Sequence, residues 1–451
     1  MVNVSENLKE LAKIFGGELY IVGGYVRNSL LNYPISDIDI AAKFSPGEVR
    51  EMLKGSKFLV KTTSEKLFTL KIICDKESYE YTSFRIDSYS VGHTPENIAS
   101  TLDIREDALR RDFKMNAIYY DIANEVIVDP LLGVADIKNR IISTTREGEE
   151  VFCEDGLRLM RLARMSAELN FEVDTPTMDA AKRYAAKIKE ISKERIREEL
   201  NKILVADTAY NVPYAHYKGL KLLTEIGIMN YILPELILGM GMKQRKDFHK
   251  YDVFEHTLMT VKYSAKNIRL AALMHDVGKP KSYLQSGRYV GHDKEGYILT
   301  EEILLRLKYP NNIITETKRL VLNHMFDLKM EAKENTVRLF IQRNYDIFDK
   351  LCELKQADYL GGGIMEGESP SVIMLKKTYN EMIQEKVPFT IGDLKISGKD
   401  LIEAGIPPKK RGEILNNLLK ECALKESKLN SLEEQKKYLE KTIKGGKKNE
   451  N

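Results

Sequence analysis

IVGGYVRNSLLNYPISDIDIAA, residues 21–42, decides how this chain is read. Apolar residues at 18–22 predict a short strand running into Gly23 and Gly24. A helix is expected over 25–31, and a second strand carries Asp37, Ile38, Asp39 and Ile40. Two adjacent glycines let a backbone turn tightly and approach a phosphate closely. The helix that follows aims its N–H groups and the positive end of its dipole at an anion. Side chains alternate along a strand, so Asp37 and Asp39 share one face, roughly 7 Å apart, and the isoleucines point into the core. Two carboxylates at that reach can hold a hard cation such as Mg²⁺ beside a polyphosphate. A glycine pair alone, or an Asp-x-Asp alone, is an ordinary turn or an exposed acidic strand. Both together in strand–helix–strand order, with Arg27 between them, point to nucleotidyl transfer.

GGYVRN followed by DIDIAA resembles the active-site signature of the DNA polymerase β nucleotidyltransferase superfamily. More narrowly, it resembles the bacterial class II tRNA nucleotidyltransferases (CCA-adding enzymes) and their poly(A) polymerase relatives. The resemblance implies an α+β fold: a polymerase-β-like nucleotidyltransferase head with a mixed sheet, then an all-α neck, an HD body and a tail. It implies that Asp37 and Asp39 are catalytic and hold Mg²⁺, and that Gly23, Gly24 and Arg27 bind a nucleoside triphosphate. The family usually has Asp after the Arg. Here Asn28 keeps a hydrogen-bonding end without the charge, so it receives no catalytic role.

Residues 58–86 read as further strands, FLVKTTS, FTLKIIC and YEYTSFR, that complete the head sheet. Glu80 on the last of them is either a third carboxylate of the site or a cross-strand surface residue. DSYSVGHTPENIASTL (87–102) is polar and turn-rich and resembles a flexible loop of the CCA-adding and A-adding enzymes, with His93 where Arg is usual. REDALRRDFKMNAIYYD matches the family block RRDFTxNA. By that resemblance Arg111 faces nucleotide phosphates and Asp112 and Asn116 lie near the ribose; Arg110 reads as structural. Asp129, Gly133 and Asp136 look architectural.

From about residue 146 the composition turns helical. Asp155, Arg158, Arg161 and Arg164 follow at steps of three, neighbours on a helix that drift around it with each step. By themselves they form a charged stripe. EDxxR with two further arginines also resembles the family's nucleotide-recognition signature. Adenine and cytosine both present an exocyclic amine beside an unprotonated ring nitrogen. Asp155 can accept from the amine and Arg158 can donate to the nitrogen, whereas guanine and uracil reverse the pattern. Arg161 and Arg164 suit a phosphate or orient that pair. SKERIREELNKIL, with Ser192 as helix cap, reads as a brace for the recognition helix.

A second constellation spans 249–358: His256, His275, Asp276, His292, His324 and Asp358. Five of the seven histidines of the chain fall here, counting His249. Imidazoles with an adjacent His-Asp suit a divalent transition metal. HKYDVFEHT, AALMHDVGKP and ADYLGG resemble the HD phosphohydrolase domain, fused behind the nucleotidyltransferase in part of this family. That resemblance assigns His256, His275, Asp276 and Asp358 to the metal, with His292 and His324 nearby, and implies phosphoester hydrolysis.

Length and composition fit this reading. At 451 residues two to four domains are expected, and 43% hydrophobic with 30% charged residues describes a globular chain with ample core. No run approaches ~18 apolar residues, and 1–15 reads as an amphipathic helix without a signal-peptide block, so no membrane association is expected and the expected location is cytoplasmic. Four scattered cysteines imply neither disulfides nor a zinc ribbon. The net charge of +3 is uninformative, but residues 409–451 carry 12 Lys/Arg against 7 Glu. The expected domains are the head at 1–145, the neck at 146–230, the HD domain at 231–375 and a helical basic tail at 376–451, ending in a disordered GGKKNEN. The expected function is template-free addition of C and A to the tRNA 3′ end from CTP and ATP, with no protein partner. Rivals are an A-adding enzyme or poly(A) polymerase, an HD phosphohydrolase whose head binds RNA, and a non-catalytic RNA scaffold.

Overall fold

The computed structural model describes residues 2–35, 37–64, 66–88 and 97–446. They divide into two compact units, one of residues 1–237 with 306–309, the other of 238–305 with 310–451. The expected head and neck fall in the first, and the expected HD domain and tail almost wholly in the second. Among the described residues no helix is long and apolar enough to cross a membrane.

In the first unit the expected strands form at β1 (Tyr20–Val22), β2 (Ile38–Ala42), β3 (Leu59–Ser64), β4 (Thr69–Cys74) and β5 (Glu77–Ser83). A hairpin of β6 (Arg85–Ser88) and β7 (Asn97–Ser100) follows, then β8 (Tyr119–Asp121) and β9 (Val126–Val128). Seven strands make one mixed sheet in the order β3–β4–β5–β2–β1–β8–β9. Strands β2 and β5 are parallel, and the other neighbours in this sheet are antiparallel. The period-2 pattern holds in β5, where Tyr79 and Tyr81 are buried and Glu80 is exposed. The register sets Val22 beside Asp39 and Asp39 beside Glu80. Stretch 87–102, read as a loop, starts and ends as the β6–β7 ladder. Its centre, including His93, lies outside the described residues.

Asp129 accepts the Gly133 and Val134 amides at 2.8 Å each, which fixes the turn after β9. Gly133 is needed there because a Cβ would lie 2.2 Å from the Lys114 carbonyl oxygen. The helical region then begins, interrupted by a two-residue parallel ladder of β10 (Ile141–Ile142) and β11 (Glu172–Val173) that sequence reading missed. Helix Leu157–Leu169 is packed by the helices Lys193–Leu204 and Ala215–Ile226. Ser192 caps the first of these by accepting the Arg195 amide, as expected.

In the second unit, helices Val253–Tyr263 and Phe348–Gly361 cross closely: a Cβ on Gly361 would lie 2.4 Å from Thr260 Oγ1. The expected boundary at 375 falls inside helix Pro370–Gln384, because Val372, Leu375 and Met382 share one core with Val337, Ile341 and Phe348. The basic tail is packed rather than frayed through most of its length. Helix Pro408–Ala423 buries Leu418 and Cys422, and Leu439 of helix Leu432–Gly446 joins the same cluster. The Gln435 amide oxygen accepts the Lys395 and Ile396 N–H groups at 2.8 and 3.1 Å. Residues 447–451 lie outside the described residues.

Gly156 precedes helix Leu157–Leu169, and a Cβ there would lie 2.4 Å from the Lys187 carbonyl oxygen. Gly156→Ala is expected to cost about 1–3 kcal/mol through overpacking. Thermal unfolding followed by calorimetry should show an earlier transition; an unchanged profile would mean that the turn at Lys187 yields without cost.

Candidate functional site

A cavity of about 470 Å³ opens in the first unit, lined by Gly23, Gly24 and Asp39, and by seven arginines against four aspartates. The surplus of guanidinium suits a polyanion.

Its floor is the opening motif. Gly23 has φ +80°, a left-handed conformation that favours glycine, and it caps helix Gly24–Leu31. A Cβ there would lie 3.6 Å from Asp39 Oδ2 and 3.9 Å from Arg111 Nη1. Asp39 is half-buried on β2, and Asp37 is exposed just ahead of it. Burial raises the Asp39 carboxyl above its ordinary value; Arg111 opposes this, while Glu80 and Asp37 push it further up. Three carboxylates thus gather at the interior strands β2 and β5, and a bound cation would relieve their repulsion. Glu80 comes beside Asp39 by strand register and is exposed there.

Each arginine is held by a fixed partner. Arg111 donates to Asp107 at 3.1 Å and to the Tyr119 hydroxyl at 3.2 Å. Burial works against its charge, yet Tyr119 and Asp107 hold it above the ordinary arginine value. Arg110 donates to Asp107 at 2.8 Å. Asp107 is fully buried and accepts the Tyr119 hydroxyl as well. Sequence reading gave Asp107 no role, although it stands three and four residues ahead of the two arginines, the spacing that pairs side chains on a helix.

Asp112 is a second hub. It accepts from Arg161 at 2.6 and 2.8 Å, from Asn116 at 3.0 Å and from the Phe113 amide at 2.8 Å. Burial opposes its charge, but Arg161 and Asn116 hold its carboxyl far below the ordinary range. Arg27 is buried, donating to Asn116 at 2.6 Å, to Asn28 at 2.8 and 3.1 Å and to the Tyr210 hydroxyl at 3.2 Å. Asn28 also donates to the Pro34 carbonyl, which gives it a structural task.

Asp155, Arg158 and Arg161 all reach the cavity. Asp155 accepts the Leu157 amide and Arg195, each at 3.0 Å. Arg158 donates to the Arg110 carbonyl at 2.8 Å, to Glu154 at 2.9 Å and to the Val151 carbonyl at 3.1 Å. Arg164 is turned elsewhere, paired with Glu199 at 2.7 Å and Glu168 at 3.0 Å. Six residues on an α-helix rotate a side chain by about 120° from Arg158, which explains the separation. Glu154 and Arg195 were missed as partners: Glu154 stands four residues ahead of Arg158, a spacing that pairs side chains on a helix, whereas nothing local marks that Arg195 meets Asp155.

The second unit gathers its six ligand candidates in one buried chamber. His256 lies 3.0 Å from Asp358 and 3.3 Å from Asp276; His275 lies 3.2 Å from Asp276. Nδ1 of His275, His292 and His324 is 2.6–2.7 Å from the carbonyl three residues earlier, which leaves each Nε2 facing the chamber. The buried Asp276 carboxylate also lies 2.6 Å from Lys279 Nζ and 3.3 Å from His292. Burial works against a charged His275, yet Asp276 and Asp358 push its imidazole up to about 10. The chamber therefore draws in positive charge, and its donor set fits a divalent cation.

Family models agree with this division. The Poly A polymerase head domain matches residues 19–143, the probable RNA and SrmB-binding site of polymerase A matches 170–238, and the HD domain matches 253–360. The A-adding tRNA nucleotidyltransferase of Deinococcus radiodurans is 30% identical, covering 90% of this chain and 92% of that protein. The CCA-adding enzyme of Streptococcus thermophilus is 30% identical over 76% of this chain and 80% of its own. The crystal structure of the Bacillus stearothermophilus CCA-adding enzyme in complex with CTP superposes with a TM-score of 0.67 at 25% identity, covering 99% of this chain and 100% of that one. With fold, cavity and relatives in agreement, this chain belongs to the tRNA nucleotidyltransferase and poly(A) polymerase family, as a nucleotidyltransferase that also carries an HD domain.

Proposed function

We propose that the chain adds C and A to the 3′ end of tRNA, taking CMP and AMP from CTP and ATP without a nucleic-acid template. The observation that carries this reading is one cavity in which the Gly23 turn, Asp39 and Arg111 meet Asp155 and Arg158. Asp37 and Asp39 would hold Mg²⁺, which when bound supplies charge neutralisation at the reacting phosphate. Gly23, Gly24, Arg27 and Arg111 receive the triphosphate, with Arg27 acting from beneath through Asn116. Asp112 and Asn116 face the ribose, and Arg161 keeps Asp112 ionised. The tRNA 3′-hydroxyl attacks the α-phosphorus and pyrophosphate leaves. Asp155 accepts from the exocyclic amine of A or C while Arg158 donates to the neighbouring ring nitrogen. In the second unit His256, His275, Asp276 and Asp358 would hold a divalent transition metal for phosphoester hydrolysis, supported by the convergence of His256, His275 and Asp276 on one buried point.

The deciding experiment supplies CTP alone, then ATP, to tRNA ending at the discriminator base, at C or at CC. Growth by two C and then one A is expected. Addition of A only to tRNA ending in CC would instead identify an A-adding enzyme, and extended A runs a poly(A) polymerase.

Asp39→Ala should abolish incorporation of both nucleotides while tRNA binding, measured by filter retention, persists. Turnover near that of the parent would remove Asp39 from the site.

Two further variants separate phosphate holding from base reading. Asp107→Asn should raise KM for CTP and ATP about tenfold, as expected for weakening a charge-assisted anchor, with base preference intact. Arg158→Lys should instead lower the preference for C and A over U and G by about tenfold. The reverse pattern would exchange the two assignments.

A further inference from the structure

Six of the seven arginines around the cavity of the first unit have a carboxylate within 2.6–3.1 Å. Arg27 is the seventh, and its hydrogen-bond partners among the described residues are all neutral. Nε and Nη2 donate to Asn28 Oδ1 at 3.1 and 2.8 Å, and Nη2 also to the Tyr210 hydroxyl at 3.2 Å. Nη1 donates to Asn116 Oδ1 at 2.6 Å and to Met165 Sδ at 3.3 Å. Glu168 and Asp112 are committed elsewhere, to Arg164 at 3.0 Å and to Arg161 at 2.6 Å. Arg27 is only 4% exposed, and burial pulls it below the ordinary arginine value, whereas Asp107 and Tyr119 hold Arg111 above it. A buried cation without a counter-ion weakens the fold that holds it.

The neutrality around Arg27 is fixed by other bonds. The Pro34 carbonyl can only accept, so the Asn28 amide nitrogen faces it at 2.9 Å and the amide oxygen is turned onto Arg27. A carboxylate at position 28 would set an oxygen against that carbonyl and cancel the Arg27 charge. Tyr210 is held by its ring, stacked on Tyr33 with centroids 4.6 Å apart, while its hydroxyl meets both Arg27 and Asn28.

We propose that Asn28 and Tyr210 are positioning residues for triphosphate binding: they hold Arg27 with neutral acceptors, so its charge stays uncancelled until phosphate enters the cavity. This rests on the triphosphate reading of the first unit given above and adds two residues to it. A guanidinium has five N–H donors, and the contacts of Arg27 engage them all, four on oxygen and one on sulfur. Arg27 therefore acts through its field, which a low-dielectric wall screens little. A field does not distinguish bases, so it sets affinity for CTP and ATP alike. Pyrophosphate, the second product, reports on the same charge with no base attached.

The test is calorimetric titration of the full-length protein with magnesium pyrophosphate, beside steady-state kinetics. Asn28→Asp and Asn28→Ala both lose the bond to Pro34, but only the first adds a charge. Asn28→Asp should weaken pyrophosphate binding about tenfold, and Asn28→Ala only about threefold. KM for CTP and ATP should rise by the same factors, with kcat and base preference kept. A second pair serves if Asn28→Asp does not fold. Arg27→Lys keeps the charge without the fork and should stay within about threefold of the parent, while Arg27→Gln should lose about tenfold. Equal losses within either pair, or Asn28→Asp binding as the parent does, would overturn the inference and leave the triphosphate reading standing. A parent protein that binds no pyrophosphate would overturn the triphosphate reading itself.

Discussion

Seven guanidinium groups around one cavity repel each other, and that repulsion is the constraint the first unit is built to meet. Arg110 and Arg111 share Asp107, Arg161 has Asp112, Arg195 has Asp155, and Arg158 has Glu154 with two carbonyl oxygens. Partners of this kind do more than neutralise. A planar guanidinium held at two or three donors keeps one orientation, so the donors left over point where a ligand arrives. The cost is that a buried carboxylate such as Asp107 tolerates no vacancy among its partners, since an unpaired buried charge is worth several kcal/mol. The cavity is thus rigid before any nucleotide enters, and the sheet, the Gly133 turn and the Gly156 contact serve to hold its walls at that spacing.

The second unit meets a related constraint with the opposite sign. Asp276 and Asp358 are carboxylates in an apolar bundle, and Lys279, 2.6 Å from Asp276, offsets only part of their charge. Carbonyls of their own helices orient the imidazoles of His275, His292 and His324. The close crossing at Gly361 brings Asp358 on one helix to His256 on the other.

Much of this was legible in the residues, and the boundary of legibility is physical. The Gly-Gly turn and Asp39 are local: backbone freedom and strand alternation place them without reference to the rest of the chain, whereas Asp37, expected on the same strand, stands just ahead of β2. The His and Asp residues of the second unit were equally plain, because those residue types rarely cluster without a reason. What could not be read is which charges meet across long separations. Arg27 looks like a free phosphate ligand in sequence, yet it is buried under Asn116 and Tyr210, a partner 183 residues away. Arg164 belongs to the same stripe as Arg158, and only the pitch of the helix and the position of Glu199 show that it serves a different neighbour. Glu80 meets Asp39 through strand register, which its own neighbours in the chain do not show. In the tail, twelve basic residues outweigh a sparse apolar stripe in composition but not in packing, where Leu418, Cys422 and Leu439 share one core.

The Gln435 side chain carries one more implication, for the order in which the protein is made. Its amide oxygen satisfies the Lys395 and Ile396 N–H groups, and its amide nitrogen donates to the Leu429 carbonyl. Domains generally fold in turn as they leave the ribosome. The segment around residue 395 must therefore wait for some forty more residues before its backbone is satisfied, while every cavity-lining residue has been synthesised by residue 195. Nascent chains that stall or are clipped in that interval would carry a complete nucleotide cavity on a molecule whose last helical cluster exposes apolar surface and unpaired amides. Such a species presents the exposed apolar surface that makes partly folded chains prone to aggregation.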